Sequence, residues 1–273
     1  MHEILRLALA QMTSSDDISA NLDTVELLYK KSISQQPDLV VFPENTLFMR
    51  LQSGSIVKGV ELNSEPMSRL SQLVESHGVP LLLTTAIASN NGLNHNATVL
   101  LEKGSRPRIV YSKIHLFDVD VKGAPPVRES EHFHHGQQPS IIEVAGWRIG
   151  LTICYDLRFA ELFLQYAHDV DLVLVPSAFL VPTGEAHWHV LLRARAIEAQ
   201  AFVAAPAQVG EHLSVSGAKR HTYGHSLAVD PWGRVLADLQ NSPEIQVIEL
   251  KRSEIEKVRT QIPMKHHRRL KIF

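Results

Sequence analysis

The 273-residue sequence predicts an α/β fold in which two sheets pack face to face with helices outside. Three observations carry that reading. Strand-like and helix-like stretches alternate along the whole chain. The strand–helix–strand unit over residues 4–42 is similar to the unit over 147–175, as if the sheet system had two related halves. Each half contains a short buried strand stopped by a proline, Asp38-Leu-Val-Val-Phe42 before Pro43 and Asp171-Leu-Val-Leu-Val175 before Pro176. No linker or low-complexity stretch divides the chain, so residues 1–273 read as one domain.

The elements follow in order. Ile4–Met12 alternates as a first strand. Ser14-Ser-Asp-Asp17 offers caps for a helix on which Ile18, Leu22, Val25 and Leu28 recur at helical spacing. Met67–His77 reads as a helix ending at Gly78. Pro80–Ala88, Asn96–Glu102 and Arg108–Ser112 read as strands, with Asn90-Asn-Gly92 turning between the first two. Ser140–Val144 and Trp147–Ile153 form a hairpin around Ala145-Gly146, and Leu157–His168 is helical. Gly184–Gln200 is a long helix capped by Thr183. Phe202–Ala207, His225–Asp230, Arg234–Leu239 and Glu244–Leu250 are strands, with Asp230-Pro-Trp-Gly233 as a turn, and Ser253–Thr260 is a last helix.

Bulk properties exclude several classes. A net charge of −2 lacks the basic excess of a nucleic-acid-binding surface. The amino terminus carries charges inside its apolar stretch and reads as a strand, not a signal peptide. No apolar run approaches the roughly 20 residues of a membrane span. These features predict a cytoplasmic protein with neither nucleic acid nor membrane as partner.

Cys154 is the only cysteine, so no intramolecular disulfide is possible. It stands where the apolar run Trp147–Ile153 gives way to a helical pattern. Ligands gather at the carboxyl ends of strands in open sheets, and a helix amino terminus there favours a thiolate. A lone cysteine is otherwise a small buried hydrophobe, so a nucleophile needs partners. Glu44 follows Val-Val-Phe-Pro just past a buried strand, Lys113 ends Ile-Val-Tyr-Ser, and Glu129 lies in the polar loop Val-Arg-Glu-Ser-Glu. Each alone is an ordinary solvated residue; together they supply a base, a cation and a second carboxylate. The 15 histidines, notably His132-Phe-His-His135 and His187-Trp-His189, raise the alternatives of a metal site or a Cys–His pair. A helix points His187 and His189 about 200° apart, which argues against their sharing a metal.

Phe42-Pro-Glu-Asn45, Tyr111-Ser-Lys-Ile-His-Leu-Phe-Asp118 and Ile153-Cys-Tyr-Asp-Leu-Arg-Phe159 resemble, in order, the three signatures of the nitrilase superfamily of carbon–nitrogen hydrolases. The resemblance spans nearly the whole chain. It implies a four-layer α-β-β-α sandwich, a homodimer or higher homo-oligomer, no cofactor or metal, and a catalytic Glu44, Lys113 and Cys154 with Glu129 as second glutamate. All four positions are filled, which argues against an idle binding protein. Thr183–Gln200, Tyr223-Gly-His-Ser226 and Asp230-Pro-Trp-Gly233 resemble the small-amidase branch, and within it the deaminated glutathione amidases, with ω-amidases next. The implied substrate is a small amide carrying a 2-oxo acid. The backbone amide of Tyr155 is the expected oxyanion donor, and Arg158, Phe179 and Thr183 are the expected substrate pocket. Ala160, Ser112 and Asn45-Thr46 depart from the usual pattern without removing a catalytic group. The basic and apolar tail over 262–273 is expected to pack on a partner subunit.

Overall fold

The computed structural model describes residues 3–52, 55–90, 92–120 and 126–270. The turn expected at Asn90-Asn-Gly92 and the last residues of the tail lie partly outside them. The first half runs β1 (Ile4–Gln11), α1 (Ile18–Ile33), β2 (Leu39–Val41), α2 (Glu65–His77), β3 (Leu81–Ile87), β4 (Asn94–Leu101) and β5 (Arg108–Ser112). Three two-residue strands follow: β6 (Asp118–Val119), β7 (Val127–Arg128) and β8 (Phe133–His134). The second half runs β9 (Ser140–Val144), β10 (Trp147–Leu151), a 3-10 turn (Cys154–Arg158), α3 (Ala160–Tyr166), β11 (Leu172–Leu174), α4 (Val181–Ala199) and β12 (Phe202–Ala205). A hairpin, β13 (Val209–Leu213) and β14 (Lys219–Tyr223), precedes β15 (Leu227–Val229), β16 (Val235–Asp238), β17 (Glu244–Lys251), α5 (Arg252–Gln261) and α6 (Met264–His267).

Two sheets result. The first has the order β17-β1-β2-β3-β4-β5, with β8 beside β4; the second has the order β16-β15-β12-β11-β10-β9. Each is built on three parallel strands, β1-β2-β3 and β10-β11-β12. Period-two alternation decides the layers. Leu5, Leu7 and Leu9 of β1 join the core shared with the second sheet, whereas Ala8 and Ala10 pack under α1 and α2. Trp188, Leu192, Ala196 and Ala199 of α4 cover the second sheet. The chain is thus an α-β-β-α sandwich, as the sequence predicts.

Local chemistry explains the boundaries. The Asp17 carboxylate accepts from the amides of Ser19 and Ala20 and starts α1. Gly78, at φ 75°, ends α2 in the left-handed conformation that glycine adopts freely. No helix among the described residues is long and apolar enough to cross a membrane.

Two expectations need correction. The helix expected over 157–168 does not grow from Cys154. A 3-10 turn comes first, Phe159 is extended (φ −101°, ψ 91°), and α3 begins at Ala160. The cause is Asp156, whose carboxylate accepts the Ile153 amide and folds the turn back on itself. The long helix starts earlier than expected, at Val181 with Leu180 as its cap and Pro182 in the first turn. Thr183 is therefore inside the helix, and its hydroxyl donates to the Leu180 carbonyl instead of capping. The β13–β14 hairpin lies between two expected strands, in a stretch for which the sequence predicts no element. Its placement depends on Gly184, because a Cβ there would collide with the Tyr223 ring.

Tyr166 ties the second sheet to α3. Its hydroxyl donates to the Leu151 carbonyl at 2.7 Å and accepts the Ser140 amide at 3.1 Å, away from water. Tyr166→Phe leaves both groups unpaired and is expected to cost about 1–3 kcal/mol. Urea denaturation measures this, and an unchanged midpoint contradicts it.

Candidate active site

Glu44, Lys113, Glu129 and Cys154 converge in one pocket. Three of them follow the carboxyl ends of strands: Glu44 after β2, Lys113 after β5 and Cys154 after β10. Pro43 ends β2, and Asn45, at φ 60°, turns the chain immediately after Glu44. The Thr46 amide donates to the Thr84 carbonyl and the Asn21 side chain to the Leu47 carbonyl, which fix the loop. Gln208 adds a clamp from the other half: its side-chain amide donates to the Glu44 carbonyl at 2.9 Å and to Ser14 Oγ at 2.7 Å.

Cys154 occupies a strained backbone position. Its φ is 48°, a region disfavoured for residues with a Cβ. The Cys154 amide donates to the Pro176 carbonyl at 2.9 Å. Asp156 holds the turn from beneath. One carboxylate oxygen accepts the Ile153 amide (2.9 Å) and the Tyr111 hydroxyl (2.7 Å), and the other accepts the amide and ring of His115 (3.0 and 2.7 Å). Tyr111 and His115 flank Lys113, so one buried carboxylate joins the lysine segment to the cysteine segment.

The lysine side chain is fully enclosed, at 0% exposure. Its Nζ donates to Glu44 Oε1 at 2.8 Å and approaches the two Glu129 oxygens at 3.0 and 2.8 Å. Glu129 is held by the Phe117 amide on Oε2 at 2.8 Å. Glu44 Oε1 also accepts from the Asn96 side chain at 2.8 Å. Both hydrogen bonds to the Glu44 carboxylate fall on Oε1, and among the described residues Oε2 accepts none.

Charge decides the resting state. Burial alone lowers the Lys113 pKa, but Glu129 and Glu44 outweigh it and hold the ammonium well above its ordinary value. Burial raises the Glu129 pKa, opposed by Lys113. Cys154 is pushed well above an ordinary thiol by burial and then by Glu44, against the opposite pull of Lys113 and the Ala178 amide. The net direction is toward the thiol, although a cation and a helix terminus by themselves favour a thiolate. Two carboxylates and one ammonium already leave a net negative charge in a buried site, and a thiolate would double it. The helix terminus expected to assist is only a short 3-10 turn.

The expected substrate residues line a second recess that shares Cys154. It contains Tyr155, Arg158, Phe179 and Thr183, closed by Phe117 and Leu180. The Arg158 guanidinium lies over the rings of Phe179 (5.5 Å) and Tyr155 (5.9 Å) and contacts His187 Nδ1 at 3.2 Å. Among the described residues it forms no ion pair. Phe179 is a buried aromatic against Trp188, with ring centroids 4.8 Å apart.

His187 and His189 separate as helical spacing requires. His189 joins His225 and Asp238, the one group among the described residues with metal-like spacing, its ligand atoms lying within 4.8 Å of one another. Here the Asp238 carboxylate accepts from both rings, at 3.0 and 2.9 Å, and clasps α4 to the β15–β16 region. None of the three lines either recess around Cys154.

Sequence reasoning missed Asn96, Asp156 and Gln208 as supports of the four residues. It also missed Arg50, in the loop after Glu44, and Arg220, on β14, which line the main pocket from segments distant in sequence. Asp156 carried a signal, standing two residues beyond the cysteine; the others carried none.

Comparison with known proteins supplies the family. A family model described as carbon-nitrogen hydrolase matches residues 6–260. A deaminated glutathione amidase of Synechocystis is 34% identical over 267 residues, covering 96% of this chain and 97% of that protein. One of Dictyostelium discoideum is 33% identical over 283 residues, covering 99% and 96%. The crystal structure of Saccharomyces cerevisiae Nit3, a member of branch 10 of the nitrilase superfamily, superposes with a TM-score of 0.83. It is 27% identical and covers 99% of this chain and 98% of its own. From the ordered motifs, the sandwich and these matches together, the chain belongs to the carbon–nitrogen hydrolase family of the nitrilase superfamily.

Proposed function

We propose that this protein is a cysteine-dependent amidase that hydrolyses deaminated glutathione to 2-oxoglutarate and cysteinylglycine in the cytoplasm. The observation that carries the chemistry is the enclosed ammonium of Lys113 between two carboxylates beside a lone, strained cysteine. The substrate class is supported by full-length relatives named deaminated glutathione amidases.

The steps follow from charge. Glu44, with Oε2 free of hydrogen bonds among the described residues, takes the Cys154 proton as sulfur attacks the amide carbon. Transferring the proton only at attack avoids a standing second negative charge in the buried site. Negative charge then moves to the former carbonyl oxygen, where the Lys113 ammonium and the Tyr155 amide stabilise it. Glu44 returns the proton to the leaving nitrogen, the C–N bond breaks, and the acyl group remains as a thioester. Glu44 next takes a proton from water, hydroxide adds to the thioester carbon, and the C–S bond breaks as the proton returns to sulfur. Glu129 keeps Lys113 directed throughout and is a positioning residue.

We also propose that the chain acts as one domain and a homodimer, with the tail over 262–273 packed on the partner. Leu270 is 85% exposed and α6 buries none of its residues within the protomer, which leaves this stretch open to a partner.

Four outcomes test these readings. Glu44→Gln is expected to lower kcat by roughly 10²–10⁴-fold, and substantial retained turnover would sink the mechanism. Thiolate absorbance, taken as wild type minus Cys154→Ala, is expected to emerge only at higher pH than that of an ordinary thiol, because burial and Glu44 raise Cys154; a signal at pH 7 contradicts a protonated resting cysteine. Deleting residues 264–273 is expected to lower the mass in solution, and an unchanged dimer contradicts the packing role. For specificity, the purified protein is offered deaminated glutathione, 2-oxoglutaramate and a simple nitrile, with Cys154→Ala as control. Preferred release of 2-oxoglutarate without ammonia from the first supports the proposal, and preference for the nitrile overturns it.

A further inference from the structure

The main pocket has an anionic floor and a cationic wall. The floor is Glu44, Glu129 and Lys113; the wall is Arg50 and Arg220, both partly buried. Arg50 leaves the loop that follows Glu44. Its Nη1 meets His132 Nε2 at 2.6 Å, a contact in which the guanidinium donates and a neutral ring accepts. Burial and the Arg50 charge hold His132 below its ordinary pKa, which suits the accepting role. Arg220 comes from the opposite side, on β14. Strand alternation turns Lys219 and His221 outward, where both pair with Glu211, and turns Arg220 and Thr222 inward. Thr222 is fixed by His212, which also bonds the Ser14 carbonyl, so the inner face of the hairpin is anchored to the end of β1.

Neither arginine forms an ion pair among the described residues, whereas Lys219, Arg108, Arg128 and Arg252 all do. Arg220 Nε is shielded from solvent and has no hydrogen-bond partner among the described residues. The two cations also sense each other. The Arg50 pKa is lowered by burial and then by Arg220, and only partly restored by Glu131 and Glu129. Neither glutamate comes within ion-pair distance of Arg50, and Glu129 is already committed to Lys113 and the Phe117 amide. A shielded N–H without a partner costs stability, and so do two unpaired guanidinium groups brought together. A carboxylate offers two oxygens and one negative charge, which suits both forks at once.

We propose that Arg50 and Arg220 form a clamp for a carboxylate of the substrate and so set the specificity of this pocket. For the identity of the substrate this rests on the amidase reading above. Deaminated glutathione carries one carboxylate on the 2-oxo acyl half and another on the glycine of the leaving half. The clamp chemistry is the same for either, and the experiment separates them.

The full chain carrying Cys154→Ala, which binds without cleaving, is titrated by calorimetry with two probes. One is deaminated glutathione with its glycine carboxylate capped as an amide, leaving only the acyl carboxylate. The other is butyrylcysteinylglycine, which has only the glycine carboxylate. Adding Arg220→Gln or Arg50→Gln is expected to weaken one probe by about tenfold to a hundredfold and the other by clearly less. Loss on the first probe assigns the acyl end, and loss on the second assigns the leaving end. Arg220→Lys, which keeps the charge but not the fork, is expected to recover part of the affinity, and melting temperatures check that each variant is folded. Equal affinity with and without the arginines, equal loss on both probes, or failure of both probes to bind overturns the clamp. Turnover by the wild type is read separately. If deaminated glutathione is not hydrolysed while arginine-dependent binding persists, the amidase specificity falls and the clamp stands.

Discussion

The site depends on a lysine that water cannot reach. Moving an ammonium and two carboxylates out of solvent is expensive, and attraction repays it only with good geometry and further hydrogen bonds. Both conditions hold here. Lys113 is within 3.0 Å of both glutamates, and these are in turn bonded by Asn96 and the Phe117 amide. Removing one member would leave the others buried and uncompensated, so the arrangement is all-or-none. It also governs the thiol. Burial and the neighbouring Glu44 hold Cys154 well above an ordinary thiol, which is why the proposed mechanism has a base act during the attack rather than before it.

Topology makes this placement possible. Each sheet has three parallel strands, and the carboxyl ends of β2 and β10 meet where the sheets face each other. β5 delivers Lys113 from the edge of the first sheet. Two polar ties prevent the halves from sliding. Asp156 binds Tyr111 and His115 across the sandwich, and Gln208 binds Ser14 and the Glu44 backbone. Both are enclosed, and both spend their hydrogen-bonding capacity on groups that flank functional residues. A displacement of the cysteine turn would therefore break bonds to the lysine segment before it reached the sulfur.

What the sequence revealed and what it concealed follow from the range of the interactions. Strands such as Leu39–Val41 and Leu172–Leu174 were legible because a buried parallel strand is an unbroken apolar run with a proline after it. α2 was legible because its apolar spacing ends at a glycine. Glu44, Lys113 and Cys154 were legible because each stands in a local motif, whereas Glu129, in a polar loop, was assigned a role only through the family resemblance. The break between the 3-10 turn and α3 was not, because Leu157–His168 has good helical spacing and only the bonding of Asp156 interrupts it. The β13–β14 hairpin was hidden for a related reason. Its inward positions include His212, Arg220 and Thr222 and its outward positions include Leu213, so no apolar–polar alternation in the sequence marks the strands, and their order comes from contacts with Ser14 and Phe179. Arg50 and Arg220 are 170 positions apart, and only the closed sandwich makes them neighbours.

The distribution of charge around Cys154 orients a ligand before any contact with the sulfur. Carboxylates repel carboxylates, so an anionic group cannot settle on the floor formed by Glu44 and Glu129. It can settle against Arg50 and Arg220 in the main pocket or against Arg158 in the second recess. An extended molecule with an acid at each end and an amide between them satisfies both conditions. Its acids are drawn to the walls, and the neutral amide is the part left over the thiol. Simple amides and nitriles gain nothing from the walls and are held by the floor alone. Under the proposed function, selectivity comes from the same electrostatic asymmetry that raises the thiol pKa, because the negative floor beside Cys154 also repels the acidic ends of the substrate.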